Sequence, residues 1–270
     1  MVGRVKTILK RVEEANTTTY AAALAFSFIF ALFPLMLFLT ALLGLLHLPS
    51  PNTYLSGPFR VFVAPAVQNL IMSILQDVRH VHSPTLLSIG AIGFVWAMTG
   101  ALRQLSSGLN QAYPSQHPTQ KSWKVLLVSG GLSLLLGILL VASLALGTVG
   151  KEIITWLTYA LMKQTPDPIL IGAIRWILFF ALVWISLTLI YNWLPNRTGR
   201  FLWMSPGTAL VILLWVLISQ GFTLYAAHFE HYNKFYGSLG GVILLMLYLY
   251  ILSFALLLGG EINALWVKGE

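Results

Sequence analysis

The chain alternates long apolar runs with short polar segments, and six of the runs are long enough to cross a membrane. A helix rises 1.5 Å per residue, so about 20 apolar residues span a hydrocarbon core that is about 30 Å thick. The pattern therefore predicts an all-α integral membrane bundle, with residues 1–270 forming a single membrane domain. The six transmembrane helices are expected at about 21–47, 86–102, 125–149, 169–194, 206–228 and 239–266.

Two further segments are amphipathic rather than uniformly apolar. Residues 1–19 combine basic and apolar positions at helical spacing, which is typical of a helix lying on the cytoplasmic membrane surface. Between the first and second spans, apolar residues recur at three- and four-residue steps from Pro65 to His82, with polar residues on the other side. We expect an interfacial or re-entrant amphipathic helix there, on the far side of the membrane.

Composition supports a membrane protein, because 57% of the residues are hydrophobic and only 9% are charged. Soluble proteins carry about 25% charged residues. Lys and Arg are more frequent on the side that carries both termini, so the positive-inside rule places both termini in the cytoplasm. That distribution, with contact to anionic membrane lipids, accounts for the net charge of +8, and no nucleic-acid partner is required. The absence of cysteine excludes disulfides and thiolate metal sites.

Several motifs, in order along nearly the whole chain, resemble those of a known family. They are Ala21-Ala22-Ala23-Leu24-Ala25-Phe26 with Leu32-Phe33-Pro34, then Trp96 with Leu109-Asn110-Gln111-Ala112-Tyr113, then Leu194-Pro195-Asn196-Arg197 with Pro206-Gly207, and finally Tyr236-Gly237-Ser238-Leu239-Gly240-Gly241 with Gly260-Glu261-Ile262-Asn263-Ala264. Taken together, they make the chain similar to the YihY/BrkB family of bacterial inner-membrane proteins. The last pair of motifs carries the closest resemblance.

The resemblance implies a six-helix protein of the bacterial inner (cytoplasmic) membrane. Some family members are linked to serum resistance or to lipid and envelope export, and a transport role is suspected. An older family label, ribonuclease BN, is generally regarded as a misassignment. The chain departs from the common family pattern at Ala25-Phe26-Ser27, where Ala-Tyr-Tyr is usual, and it lacks the usual Asp before Pro206. Phe26 therefore offers no hydroxyl to a pathway.

The residues argue against enzymatic chemistry. A nuclease needs clustered metal-binding carboxylates or a histidine with a supporting acid, and no span contains two acids that face each other. His228, Glu230 and His231 could meet at a metal, but ordinary interfacial side chains are the favoured interpretation. There is no Gly-rich phosphate-binding loop. We therefore expect no ribonuclease activity, no catalytic residue, no bound metal and no cofactor.

Glu261 is the polar residue that most needs an explanation, because an acid near membrane depth is costly. It could carry a proton or pair with a cation near the cytoplasmic end of a transport pathway. Alternatively, it accepts hydrogen bonds from a neighbouring helix N-terminus, or it pairs with Arg103 or Arg197. Asn263 and Gly260 beside it predict close helix contact in either case.

Arg175 lies about two turns inside the fourth span. It either snorkels to the far interface or faces a cavity, where it would bind an anionic group such as a lipid phosphate. Gln220 and Thr223 in the fifth span, with Ser186 and Asn192 in the fourth, are predicted to form hydrogen bonds between helices. They would line a pathway if they share a face with Arg175.

A break before the sixth span, Tyr236-Gly237-Ser238, is followed by Gly241 at a spacing that allows close helix packing. The break is either an aromatic belt with a tight turn or a mouth where backbone groups meet substrate. Pro34 and Pro206-Gly207 would be further hinges, since proline removes a backbone hydrogen bond and kinks a helix.

Two function classes follow from these residues. The first is a transporter or flippase-like protein for a lipid or amphipathic envelope molecule. The alternative is a non-transporting membrane scaffold or envelope-organising protein, with a second copy or another envelope protein as possible partner. A polar cavity lined by Arg175 or Glu261 would favour transport, whereas a closely packed bundle would favour the scaffold.

Overall fold

The computed structural model describes residues 10–45, 68, 84–113, 122–148, 154–156, 167–196, 201–228 and 238–268. Six long helices contain most of these residues. They are α1 (Thr17–Leu45), α2 (Pro84–Ala112), α3 (Ser122–Thr148), α4 (Pro168–Trp193), α5 (Pro206–His228) and α6 (Ser238–Lys268). Each helix is long and apolar enough to cross a membrane. The predicted all-α bundle of six membrane helices is confirmed.

The observed helix ends differ from the expected spans by several residues. The first helix begins at Thr17 rather than near 21, whereas α2 continues to Ala112, in agreement with the expectation that its helix extends beyond the membrane span at 86–102 to about Tyr113. Before α1, residues 10–14 are helical, and a turn at Asn16 with φ of 49° separates them from it. Residues 1–9 of the predicted surface helix lie outside the described residues. So does the predicted interfacial helix between α1 and α2, apart from Gln68.

Local sequence explains where several helices begin. Proline is the first residue of α2, α4 and α5, a position where the missing N–H has no intrahelical partner anyway. Asp167 precedes α4, and its side chain accepts a hydrogen bond of 2.9 Å from the backbone N–H of Ile169. An acidic N-cap satisfies an exposed donor and complements the helix dipole.

The helices pack as a bundle in which successive helices run in opposite directions. In the antiparallel pair α1–α2, Gly90 faces Phe38 and Gly108 faces Tyr20. The α6 helix packs against both α1 and α5, whereas α3 packs against α2 and α4. We call the two ends of the bundle the distal end and the termini end, the latter holding Thr17, Ala112, Ser122, Trp193, Pro206 and Lys268.

The main core lies entirely in the half of the bundle next to the termini end. Its buried side chains come from all six helices and comprise Ala21, Leu24, Ala101, Leu102, Leu105, Leu109, Leu132, Leu187, Ile190, Tyr191, Leu194, Val211, Leu256 and Leu257. Smaller clusters of buried residues, such as Phe222 with Tyr248 and Met36 with Leu39, lie toward the distal end. The largest described core is therefore at the termini end, in the same half of the bundle as Glu261 and Asn263.

Candidate functional site

The closest helix contact near the termini end joins the start of α5 to α6. A Cβ atom on Gly207 would overlap the carbonyl oxygen of Gly259 and would lie 2.6 Å from Oδ1 of Asn263. The backbone N–H of Gly207 donates a hydrogen bond of 2.7 Å to that same Oδ1 atom. Asn263 thus accepts a hydrogen bond from one of the first N–H groups of α5, which have no partner within their own helix. Such a group would be costly to leave unpaired away from water.

Tyr191 of α4 closes the same contact from the other side. Its hydroxyl donates a hydrogen bond of 2.6 Å to the carbonyl oxygen of Leu256 in α6. A Cβ on Gly259 would lie 2.6 Å from the tyrosine oxygen, and one on Gly260 would overlap the side chain of Leu109 in α2. We refer to Tyr191, Gly207, Gly259, Gly260 and Asn263 as the glycine layer. It joins α2, α4, α5 and α6 in one buried contact.

A second set of polar contacts ties α2 to the end of α4. Ser106 donates a hydrogen bond of 2.9 Å to the carbonyl oxygen of Leu194, and Oδ1 of Asn110 accepts one of 2.6 Å from the backbone N–H of Asn196. The last carbonyls of a helix and the N–H groups that follow it need such partners. These side chains therefore hold the chain where it leaves α4, beside the glycine layer.

Glu261 is almost fully buried, with 2% of its surface exposed. Residues three and four positions apart share a helix face, so Glu261 lies between Leu257 and Ala264. Leu257 contacts Gly108 of α2, and Ala264 packs with Ala112 of α2. Glu261 is thus on the side of α6 that faces the bundle rather than lipid.

The roles expected for Glu261 stay predictions. At the α5 N-terminus, Asn263 accepts from the N–H group of Gly207, and the N–H groups of Thr208 and Ala209 bond to the carbonyl oxygen of Ser205. Asn263 therefore satisfies at least one donor of this neighbouring helix. The side chain of Arg103 is exposed, and Arg197 lies outside the described residues.

The side-chain nitrogen of Asn263, Nδ2, is buried without a described partner. Asn263 is 1% exposed, and its Nδ2 atom has no hydrogen-bond partner among the residues that the structure describes. A buried amide donor without a partner costs about 1–3 kcal/mol. The glycine layer therefore contains a polar group that this conformation leaves unsatisfied.

Two apolar grooves open between helices toward the lipid side. One lies between α5 and α6, has a volume of about 370 Å³ and is lined by Ile218, Gly221, Phe222, Tyr225, Leu247 and Ile251. The other lies among α1, α2 and α3, has a volume of about 390 Å³ and includes Phe38, Phe94, Ser133 and Ile138 in its lining. Neither Arg175 nor Glu261 lines either groove.

The structure brings together only part of the predicted set of site residues. Glu261, Asn263, Pro206 and Gly207 lie at the termini end, whereas Arg175 is half-buried in the distal half of α4. Gln220 is exposed on the outer surface of α5, so it does not form the predicted bond to a neighbouring described helix. Its placement resembles that of a lipid-facing residue.

The predicted hinges fall at different kinds of position. Pro34 lies inside the unbroken helix α1 and contacts the position of Gly93 in α2. Ser238 is the first residue of α6, and a Cβ on Gly241 would have no atom within 4 Å, so no close packing occurs at that glycine. Tyr236 and Gly237 lie outside the described residues.

Three side chains that were predicted to bond to neighbouring helices have other hydrogen-bond partners. Ser186 bonds to the carbonyl oxygen of Leu182, and Thr223 to that of Ser219, each within its own helix. Hydroxyls in helices commonly bond to the carbonyl four residues earlier, because it is already within reach. Asn192 instead bonds to both backbone groups of Leu202 and so holds the connection between α4 and α5.

Tyr191, Ser106 and Asn110 were not predicted as site residues. Tyr191 stands at the end of an apolar run, where a tyrosine is expected at the membrane interface, and nothing in its spacing shows that it points inward. Asn110 was noted only within a family motif. The sequence feature that could have indicated this contact is the pair Gly259-Gly260, because adjacent glycines in an apolar helix leave room for a large side chain from a neighbouring helix.

Replacing Tyr191 with phenylalanine tests the bond across the glycine layer. The loss of one buried hydrogen bond, which leaves the ring in place, should lower the free energy of unfolding by about 1 kcal/mol. Thermal unfolding of the detergent-solubilised protein measures the change. Thr188→Val is the matched control in the same helix, because the Thr188 hydroxyl is buried without a hydrogen-bond partner among the described residues. Equal melting temperatures for Tyr191→Phe and the unmodified protein would contradict the expectation.

Metal-binding chemistry finds no support among the described residues, which contain no group of three His, Cys, Asp or Glu side chains able to hold a metal ion. His80, His82, His117, Glu230 and His231 lie outside them.

Comparison with known proteins gives the family. The family model described as Virulence factor BrkB matches residues 8–268. A Bacillus subtilis protein named putative ribonuclease-like protein YfkH is 27% identical over 249 residues, which cover 92% of this chain and 89% of that protein. A UPF0761 membrane protein of Alcanivorax borkumensis is 25% identical over 256 residues, or 94% of this chain and 57% of the relative.

A UPF0761 membrane protein of Tolumonas auensis is 37% identical over a shorter stretch of 79 residues, which is 29% of this chain and 26% of the relative. The matched regions thus span less than two thirds of these two UPF0761 relatives. No solved structure matches the chain significantly. The family match covers nearly the whole chain, so the resemblance seen in the motifs is confirmed: this multi-pass membrane protein belongs to the Virulence factor BrkB family.

Proposed function

We propose that this protein transports a lipid or another amphipathic envelope molecule in the bacterial inner membrane, with both termini in the cytoplasm. The observation that carries the proposal is the pair of apolar grooves that open sideways between helices in the distal half of the described bundle. At the termini end, the main core and the glycine layer close the described bundle. A transporter would have to open that contact to release a substrate on that side.

The chemistry of the distal half fits an amphipathic substrate. The grooves are apolar and large enough to take part of an acyl chain, and they open sideways to lipid. Arg175 is a permanent cation in the same half of the bundle, and a guanidinium suits an anionic headgroup such as a phosphate. In this proposal Glu261, buried behind the closed end, couples opening of that end to a proton or cation.

The second candidate is a non-transporting scaffold. It is favoured by the apolar lining of both grooves, neither of which is lined by Arg175 or Glu261. In a scaffold, Asn263 and Tyr191 would only hold helices together.

We also propose that the chain is not an enzyme and uses no cofactor. The name of the Bacillus relative suggests ribonuclease chemistry, but the described acids Glu13, Glu14, Asp167 and Glu261 are not gathered into one group.

Exchange of labelled lipids in liposomes distinguishes the two candidates. Purified protein should accelerate transbilayer movement of fluorescent lipids above the rate in protein-free liposomes. Arg175→Ala should slow phosphate-bearing lipids more than a neutral glycolipid, because only the former offer an anion to the guanidinium. Arg103→Ala, which removes an exposed arginine near the other end of the bundle, is the control. If no headgroup exchanges faster than in protein-free liposomes, the scaffold is the better description.

A further inference from the structure

Helix α5 carries a polar side chain on a surface that should face lipid. Gln220 is exposed, and it makes no hydrogen bond to any residue that the structure describes. At 1.5 Å per residue it lies about 21 Å along the helix from Pro206, well inside the apolar span Pro206–Tyr225. Lipid chains offer no partner to an amide, so a polar residue at this depth is costly unless another molecule satisfies it.

The residues around Gln220 form a regular seam. Leu213, Leu217, Gln220 and Leu224 follow one another at steps of four, three and four residues, which is the spacing of a helix pair packed side by side. The three leucines are 56%, 56% and 71% exposed, so the seam is uncovered in the single chain. Gly221, beside Gln220, lines the groove between α5 and α6, so the seam borders that groove on one side.

We propose that this seam is the contact with a second copy of the chain, packed as a two-fold symmetric dimer through α5. A two-fold axis along the membrane normal makes the two α5 helices parallel and brings Gln220 of one copy opposite the same residue of the other. An amide has both a donor and an acceptor, so two such groups satisfy each other. A single polar position in an apolar seam also fixes register and the number of helices. The dimer stands independently of the transport proposal.

Cysteine crosslinking tests the seam directly, because the chain contains no cysteine. Leu217→Cys and Leu224→Cys leave Gln220 in place and should give a disulfide-linked dimer when membranes containing the full-length protein are oxidised. Ile177→Cys is the matched control: it is 67% exposed on α4 at a similar distance from the termini end, but outside the seam. Crosslinking of Ile177→Cys as efficient as that of Leu217→Cys would mean random collision and would overturn the proposal.

The amide contact has its own test. Adding Gln220→Leu to Leu217→Cys keeps the seam apolar and removes only the amide pair, so crosslinking should fall. Single-molecule photobleaching in liposomes at graded protein densities should show about a tenfold weaker dimer for Gln220→Leu without the cysteine. An unchanged dimer, a monomer at every density, or a crosslink only to a different protein would each overturn the proposal. Since the side chain of Gln220 is exposed, an unchanged helical circular-dichroism spectrum in detergent is the control for folding.

Discussion

Gly259→Ala should strongly destabilise the protein. The new methyl group would overlap Val211, and it would lie 2.6 Å from the hydroxyl oxygen of Tyr191 and 3.0 Å from the backbone oxygen of Gly207. Tyr191 and Gly207 are each held by a hydrogen bond, so neither can move away without breaking it. Overpacking a well-filled core costs about 1–3 kcal/mol, and the loss of the Tyr191 bond adds about 1 kcal/mol. We expect a clear drop in melting temperature or failure to accumulate in membranes.

Gly131→Ala is the matched control for this substitution. Gly131 also lies inside an apolar helix, but a Cβ there would have no atom within 4 Å. Alanine is a better helix former than glycine by about 1 kcal/mol, so the control should be neutral or slightly stabilising. Thermal unfolding followed by size-exclusion fluorescence measures both variants. A Gly259→Ala protein as stable as Gly131→Ala would show that α4, α5 and α6 do not meet as closely as the structure places them.

The length of the apolar runs was enough to predict the number and kind of helices. An apolar run of this length crosses a membrane as a helix, because a helix pairs its own backbone N–H and C=O groups. The prediction therefore required no knowledge of how the helices pack. Close contact at Gly260 and Asn263 was also anticipated. The partners in that contact were not, because they depend on which helices become neighbours, and Tyr191 is separated from Gly259 by the whole of α5.

The direction in which polar side chains point was the part that the sequence could not supply. In a soluble helix, the apolar stripe marks the buried face, but in these helices both the core face and the lipid face are apolar. Gln220 could therefore be assigned to a helix contact within the chain, although it is exposed on α5. For the same reason, Ser186 and Thr223 gave no indication that their hydroxyls bond to their own helices.

Glu261→Gln should separate a working carboxylate from one that only packs. Glutamine has nearly the same shape and keeps an acceptor oxygen, so it can occupy the same buried space beside α2 without an ionisable group. If Glu261 couples opening of the termini end to a proton or cation, lipid exchange in liposomes should fall at least about tenfold, a loss of about 1.4 kcal/mol of coupling. The melting temperature should change little.

The comparison needs a second buried polar change on the same helix. Ser253 is fully buried in α6, and its hydroxyl has no hydrogen-bond partner among the described residues, so Ser253→Ala removes a polar atom without breaking a described bond. It should retain both stability and lipid exchange. If Glu261→Gln also retained full exchange, Glu261 would have only a packing role. If Glu261→Gln unfolded the protein, its carboxylate would be part of the structural contacts of α6, and coupling would have to reside in another group.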